Sequence, residues 1–287
     1  MAISSKVAAR ISSELKRYQG ILTAAKQRDV SESNTSVIVA DILSDIFGYD
    51  KYQHITREHA VRGTYVDLAV IVDDDIRFLV EVKAIGIELK DPHVKQAIDY
   101  GANLGIEWVV LTNGVIWRLY KIHFGQPIEK DLVFELDLLS VRAKSSDVIE
   151  CLGTLCKECF SKGSMSELHQ QKQITSRFSV AAALLSESML DELRKELRRL
   201  SPGLKIDSDY LRGLLENEII KRELVDSDEA NAAGLLIKKL QRNIAREKKK
   251  RADDEDIEMP AKPVVSEVLK TTDSLGSQNE SSTSTRL

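Results

Sequence analysis

The sequence predicts an α/β domain that is followed by an all-helical domain and a disordered tail. Within about the first 140 residues, short apolar runs of strand type alternate with segments of helical periodicity, which is typical of one α/β unit. After Leu139 the strand pattern ends, while helical periodicity continues to about residue 246. The remainder is charged and Ser/Thr-rich and has too little apolar area to order itself. The predicted divisions are residues 1–140, 141–246 and 247–287.

Helices are predicted wherever apolar residues recur at spacings of three and four. Ser31 and Asn34 are both candidate caps for the second helix, and Gly48 marks its end. The Ser/Lys/Gln-rich residues 161–176 are predicted to be a linker between two helical stretches of the second domain. The predicted helical segments are residues 1–28, 34–47, 91–104, 145–160 and 178–245.

Strands are predicted from short runs that are rich in β-branched and aromatic residues. Asn113-Gly114, which stands between two such runs, is the strongest hairpin signal in the chain. The predicted strands are residues 55–61, 66–72, 77–84, 108–112 and 116–122.

Composition and charge narrow the class of protein. The chain has 287 residues, of which 43% are hydrophobic and 30% charged, as in ordinary soluble proteins. No apolar run approaches the ~20 residues that cross a bilayer, and the N-terminus lacks the apolar stretch of a secretory signal. Cys151, Cys156 and Cys159 have no paired framework elsewhere, so we expect them in a helical core and the protein in a reducing cytoplasm. With a net charge of −4, any nucleic-acid contact must come from a local patch.

Charged residues interrupt two neighbouring strand-like runs, VDLAVIV and RFLVEVKA. If Asp73–Asp75 form the turn between them, Val72 pairs with Ile76. The same register brings Asp67 directly opposite Glu81. A turn of two residues would break this register. The sequence therefore predicts two facing carboxylates, on the condition that the turn has three residues.

Lys83 stands two residues after Glu81 and so faces the same side of the strand. Two facing carboxylates repel each other, and burial without partners would be costly. A divalent cation such as Mg²⁺ or Mn²⁺ removes this conflict, because hard cations prefer oxygen ligands. The cation would polarise a phosphodiester, and Lys83 would orient a water or stabilise charge on the phosphate. The alternative, a salt-bridged sheet edge without chemistry, stays open.

These residues and their surroundings resemble a known nuclease superfamily. Asp67 followed by Glu81-Val82-Lys83 resembles the D…E-x-K core of the PD-(D/E)xK nucleases, although Tyr65-Val66 replaces the proline of that motif. More specifically, residues 31 to about 122 are similar to the N-terminal nuclease domain of type I restriction enzyme R subunits. The chain has no phosphate-cradling Gly-rich loop, so we expect a stand-alone member without the helicase motor. The matching stretches are SESNTSVIVADILSDIFGYD, TREHAVRGTYVDLAVIV, FLVEVKAIG and QAIDYGANLGIEWVVLTNGVIWRLYKI.

The resemblance implies a restriction-endonuclease-like core, which is a mixed sheet flanked by helices, and a set of site residues. Asp67 and Glu81 would be catalytic metal ligands, with the Val82 carbonyl and Glu32 as further ligands. Lys83 would be catalytic. Gln96 and Tyr100 match a Q-x-x-x-Y motif and would hold Lys83 or a DNA phosphate in place. Two alternatives stay open, namely that Glu32 only favours a helix start and that Tyr100 is an ordinary half-buried tyrosine.

The sequence and the resemblance together predict a Mg²⁺- or Mn²⁺-dependent DNA endonuclease of restriction type. Two other classes stay open: a non-catalytic DNA-binding or scaffold protein that retains the nuclease fold, and a nuclease subunit that a partner activates. The helical half could track DNA through its basic residues, or it could serve oligomerisation or partner docking. The five histidines are scattered along the sequence without ligand spacing, so no zinc site is expected.

Overall fold

The computed structural model describes residues 3–61, 64–160 and 163–257, and for residues 58–61, 64 and 248–257 it describes the backbone alone. A mixed sheet organises the first part of the chain, with its described strands in chain order from one edge to the other. The strands are β1 (Ile55–Val61), β2 (Thr64–Val72), β3 (Asp75–Val82), β4 (Trp108–Thr112), β5 (Ile116–His123) and β6 (Glu129–Asp137).

Neighbouring strands pair antiparallel except for β3 and β4, which pair parallel. Parallel neighbours need a crossover connection, and the helix α3 (Asp91–Leu104) supplies it. All five predicted strands are present. Sequence reasoning missed β6, because five of the nine residues in EKDLVFELD are charged. Charged residues suit a strand at the edge of a sheet, where they oppose pairing with another chain.

Helices cover both faces of the sheet. The helices α1 (Ser5–Gln27) and α2 (Glu32–Asp45) share one apolar core with alternate strand residues such as Val80, whereas α3 shares the other core with residues such as Leu79. The mixed sheet flanked by helices is therefore confirmed. Ser31 is the cap of α2, since its hydroxyl accepts a hydrogen bond from the backbone N–H of Asn34.

The described chain beyond β6 is helical, which confirms a helical C-terminal part. The predicted linker at 161–176 is wrong, because most of it forms a helix. Cys151, Cys156 and Cys159 are buried in the same core as α1 and α2, as expected. The elements are α4 (Ser146–Gly153), α5 (Lys157–Phe160), α6 (Ser164–Ile174), α7 (Arg177–Leu184), α8 (Glu187–Leu200), α9 (Ser208–Leu214), a π-helix (Leu215–Ile219), α10 (Glu223–Asp226) and α11 (Asp228–Ile257).

Two compact units divide between Ile237 and Lys238, within α11. The predicted boundary at residue 140 stays a prediction. Residues 247–257 were expected to be disordered but lie in α11, because Lys, Arg, Glu and Ala favour helix and extend one already begun. The rest of the predicted tail, 258–287, lies outside the described residues. None of the described helices is long and apolar enough to cross a membrane.

Candidate active site

The turn between β2 and β3 has two residues, not three. Asp73 and Asp74 have φ values of 56° and 64°, and Val72 pairs with Asp75. Two successive residues with positive φ are typical of a type I′ turn, whose twist matches that of the strands. The predicted pairing of Val72 with Ile76 is therefore wrong.

A β-bulge restores the predicted register further along the hairpin. The pairing shifts between Val70 and Ile71, and beyond this point Leu68 faces Val80, as predicted. The extra residue is Arg77 of β3, which has no partner in β2 and so compensates for the residue that the shorter turn removes. Asp67 consequently follows at the position next to the Leu68 pair, beside the end of β3.

Asp67 binds the end of β3 directly. Its Oδ2 atom accepts a hydrogen bond of 2.7 Å from the backbone N–H of Val82. The half-buried carboxylate thus lies next to Glu81, and its negative charge acts on that residue. The two acids that were expected to converge are neighbours in the structure.

Glu81 is the buried acid of the site. The residue is 1% exposed, and its Oε1 atom accepts a hydrogen bond of 2.6 Å from the ammonium of Lys83. Its Oε2 atom is buried and has no hydrogen-bond partner among the described residues. Burial, together with the charge of Asp67, raises the pKa of Glu81 to about 7, although Lys83 opposes this shift. The cation-free site therefore holds one carboxyl that is costly to ionise.

Lys83 lies between two carboxylates. Its Nζ atom is 2.6 Å from Glu81 Oε1 and 4.0 Å from Oε2 of Glu32, in the first turn of α2. Burial lowers the pKa of Lys83, but the hydrogen bond to Glu81 and the surrounding carboxylates raise it above its ordinary value. Lys83 is therefore a protonated cation. Glu32 is thus linked to Glu81 through the ammonium of Lys83, which lies between them.

Gln96 and Tyr100 lie one turn apart on α3. The side-chain amide of Gln96 donates a hydrogen bond of 3.2 Å to the Tyr100 hydroxyl. Gln96 is exposed, whereas Tyr100 is buried in the core beneath α3. Among the described residues, no hydrogen bond joins either side chain to Lys83, so their predicted supporting role stays a prediction.

The donor set fits a divalent cation. Glu81 offers a buried oxygen without a partner, and a second carboxylate, Asp67, lies beside it. A cation would offset the repulsion between the two acids and favour the ionised form of Glu81. If Glu81 and Lys83 formed only a structural ion pair, we would expect neither a second carboxylate beside them nor a buried Oε2 atom without a partner.

A family of known proteins matches the part of the chain that contains Asp67, Glu81 and Lys83. Residues 38–130 match the family described as the N terminus of the type I restriction enzyme R protein. The predicted resemblance is confirmed over this segment. It spans 93 of the 287 residues, counting 38 to 130 inclusive, and it leaves out Glu32. Searches of curated proteins and of solved structures find no match.

Sequence reasoning missed a second cluster of ionisable side chains. His123, Asp131 and His169 place one ligand atom each within 4.8 Å of one another. His123 and His169 are 46 positions apart, and His169 lies in the stretch that was expected to be a linker. The spacing along the sequence did not reveal this proximity, because β5, β6 and α6 bring the three residues together.

Proposed function

We propose that this chain is a divalent-cation-dependent endonuclease that hydrolyses DNA phosphodiester bonds. The observation that carries the proposal is the buried, unpartnered Oε2 atom of Glu81 beside the carboxylate of Asp67. The match of residues 38–130 to a restriction-enzyme domain supports DNA as the substrate. The cytoplasm remains the expected compartment.

Asp67 and Glu81 would hold Mg²⁺ or Mn²⁺, with the Val82 carbonyl and Glu32 as further candidate ligands. When bound, the cation would polarise the scissile phosphodiester and lower the pKa of a coordinated water. Carboxylates and a backbone carbonyl are hard oxygen ligands, which suits Mg²⁺ and Mn²⁺ better than softer metals.

Lys83 has a role that follows from its charge. In the cation-free protein the hydrogen bond to Glu81 and nearby carboxylates raise the pKa of Lys83, so its side chain is a protonated ammonium. It can donate hydrogen bonds, so it would stabilise negative charge that develops on the phosphate. This favours phosphate stabilisation over proton abstraction as the function of Lys83.

Gln96 and Tyr100 would support the DNA backbone from α3. The exposed amide of Gln96 is oriented by its hydrogen bond to the buried Tyr100 hydroxyl. An amide held in this way can donate to a phosphate oxygen, which positions DNA without reading its sequence. We therefore assign both residues to substrate positioning.

Supercoiled plasmid provides the test. Purified protein is incubated with plasmid and Mg²⁺, Mn²⁺ or EDTA, alongside Asp67→Ala, Glu81→Gln and Lys83→Ala. Asp74→Asn is the matched control, because this acid lies in the same hairpin, is exposed in the turn, and is replaced by a residue that tolerates positive φ. We expect cation-dependent nicking by the wild type and Asp74→Asn, and none by the three site variants.

Equal cleavage by the wild type and the three site variants would contradict the proposed site. DNA binding without cleavage under every cation condition would favour the non-catalytic DNA-binding protein. Cleavage that appears only when a partner protein is added would favour the partner-activated subunit. Native mass spectrometry of the same preparation would report whether the helical half forms an oligomer.

A further inference from the structure

A second cluster lies at the opposite end of the sheet from Asp67 and Glu81. Glu81 pairs with Leu111 near the end of β4, whereas Trp108 at the start of β4 pairs with Lys121, close to the end of β5. His123 ends β5, Asp131 lies on the neighbouring β6, and His169 comes from α6. The two clusters are therefore separate sites.

Three nitrogen atoms converge on one oxygen in this cluster. Asp131 Oδ2 lies 2.8 Å from His123 Nε2, 2.8 Å from His169 Nε2 and 3.1 Å from Gln173 Nε2. A carboxylate oxygen has two lone pairs, so it cannot accept three well-aligned hydrogen bonds. More nitrogen atoms thus surround this oxygen than a hydrogen-bonded contact between β6 and α6 requires.

The ligand atoms of this cluster are of the kind that late first-row divalent cations prefer. Two imidazole nitrogens and one carboxylate oxygen lie within 4.8 Å of one another. Ligands about 2.1 Å from a metal lie roughly 3.0 Å apart at a right angle and about 3.4 Å apart at the tetrahedral angle. The two Nε2–Oδ2 distances of 2.8 Å are near the first value, so small side-chain movements would admit a cation.

The surroundings hold two of these ligands in place and leave room beside them. The amide of Gln173 donates to Asp131, and the buried ring of His169 lies edge-on to Trp108, with 6.3 Å between ring centroids. Such outer contacts orient metal ligands. A cavity of about 400 Å³ is lined by Asp131 and His169, with Lys172, Gln173 and Ser176 among its other polar residues. It has space for a water or a small ligand to complete the coordination.

We propose that His123, Asp131 and His169 bind a late first-row divalent cation, with Zn²⁺ as the probe. The bound cation fastens the β5–β6 edge of the sheet to α6. Its nitrogen ligands favour Zn²⁺ over Mg²⁺, in contrast to the oxygen ligands around Glu81. This site does not depend on the proposed nuclease activity.

The test measures bound zinc and thermal stability rather than cleavage. Protein stripped with EDTA is dialysed against Zn²⁺, its metal content is measured by mass spectrometry, and its thermal midpoint is recorded with and without the cation. The variants are His123→Gln and Asp131→Asn. His93→Gln removes a histidine from α3 as the matched control, and Glu81→Gln removes the acid of the other site.

We expect one Zn²⁺ per chain and a raised thermal midpoint in the wild type, His93→Gln and Glu81→Gln. His123→Gln and Asp131→Asn should bind Zn²⁺ at least ~10-fold more weakly, with no rise in the midpoint. If Asp131→Asn fails to fold, the decision rests on the zinc content of His123→Gln and on the visible spectrum of Co²⁺ bound to the wild type, which reports the ligands of the cation. The proposal is overturned if the wild type binds no Zn²⁺, if His123→Gln binds as much, or if only Glu81→Gln loses it.

Discussion

The two ends of the sheet carry clusters that differ in ligand type and in how the chain assembles them. At one end, Asp67 and Glu81 come from one hairpin and offer only carboxylate oxygens beside a lysine. At the other end, His123, Asp131 and His169 come from two strands and a distant helix. The first cluster is visible as a local pattern, whereas the second exists only once the fold has formed. The difference predicts separable metals and separable effects of substitution.

Among these substitutions, Lys83→Ala should have the largest effect, and this effect should be confined to the hairpin end of the sheet. The change removes the positive charge beside the phosphate, so we expect a loss of roughly 100- to 1,000-fold in cleavage rate. Zn²⁺ binding at the histidine cluster should not change. Cleavage kinetics on a labelled duplex and the zinc content of the same protein measure both. A parallel loss of zinc would show that the two ends are not independent.

The unfolding free energy of the cation-free protein should fall as pH rises towards 7. The folded chain holds the Glu81 proton more tightly than the unfolded chain, since the pKa is raised to about 7 in the fold. The stabilisation is complete below about pH 4.3 and is lost as the pH passes through 7, an effect of up to roughly 3 kcal/mol.

Urea unfolding in EDTA from pH 5 to 8 measures this effect. Glu81→Gln cannot titrate at this position and should flatten the pH dependence, and Mg²⁺ should do so in the wild type by favouring the ionised form. Asp74→Asn serves as the control and should keep the wild-type slope. A wild-type slope that survives Glu81→Gln would mean that another group is responsible.

His169→Ala should destabilise the metal-free protein by about 1–3 kcal/mol. The buried ring is removed from its contact with Trp108 and from its hydrogen bond to Asp131. Chemical denaturation in EDTA gives the value. Added Zn²⁺ should widen the gap, because only the wild type gains stability from it. A gap that zinc leaves unchanged would argue against this end as a metal site.

Asp74→Gly should have the smallest effect, a gain of about 0.5–1 kcal/mol. Asp74 has a positive φ, which glycine adopts without strain, and Asp-Gly suits a type I′ turn; we expect this relief to outweigh the entropy that glycine adds to the unfolded chain. The cleavage rate should stay at the wild-type value, because the turn only connects the strands that carry Asp67 and Glu81. A large change in cleavage would mean that the turn itself takes part in the site.

Much of the α/β architecture is predictable because local pattern and burial agree there. The predicted helix at 91–104 has the bounds of α3, and the strand at 108–112 has those of β4. The strand β6 escapes prediction, because its many charged residues suit an exposed edge that only the finished sheet defines. Residues 247–257 were not predicted as helix, because their many charged residues are typical of disordered segments, although they continue α11.

The proximity of Asp67 and Glu81 is predictable from the sequence, but the geometry that produces it is not. The pairing of Leu68 with Val80, next to Asp67 and Glu81, was expected from a three-residue turn, whereas a two-residue turn and a bulge achieve it together. Two errors of one residue cancel, and no local sequence signal marks the bulge. The histidine cluster could not be predicted at all, because it depends on the missed β6 and on α6 in a supposed linker.

The central claim is that Glu81 holds a divalent cation at the hairpin end of the sheet. Calorimetric titration of Mn²⁺ into the protein, mixed with an uncleavable phosphorothioate DNA duplex, tests it most directly. In the wild type and in Asp74→Asn we predict tight binding of at least one Mn²⁺ that Glu81→Gln weakens at least ~10-fold, because a neutral amide replaces the ionised ligand. Identical Mn²⁺ binding by the wild type and Glu81→Gln would contradict the account.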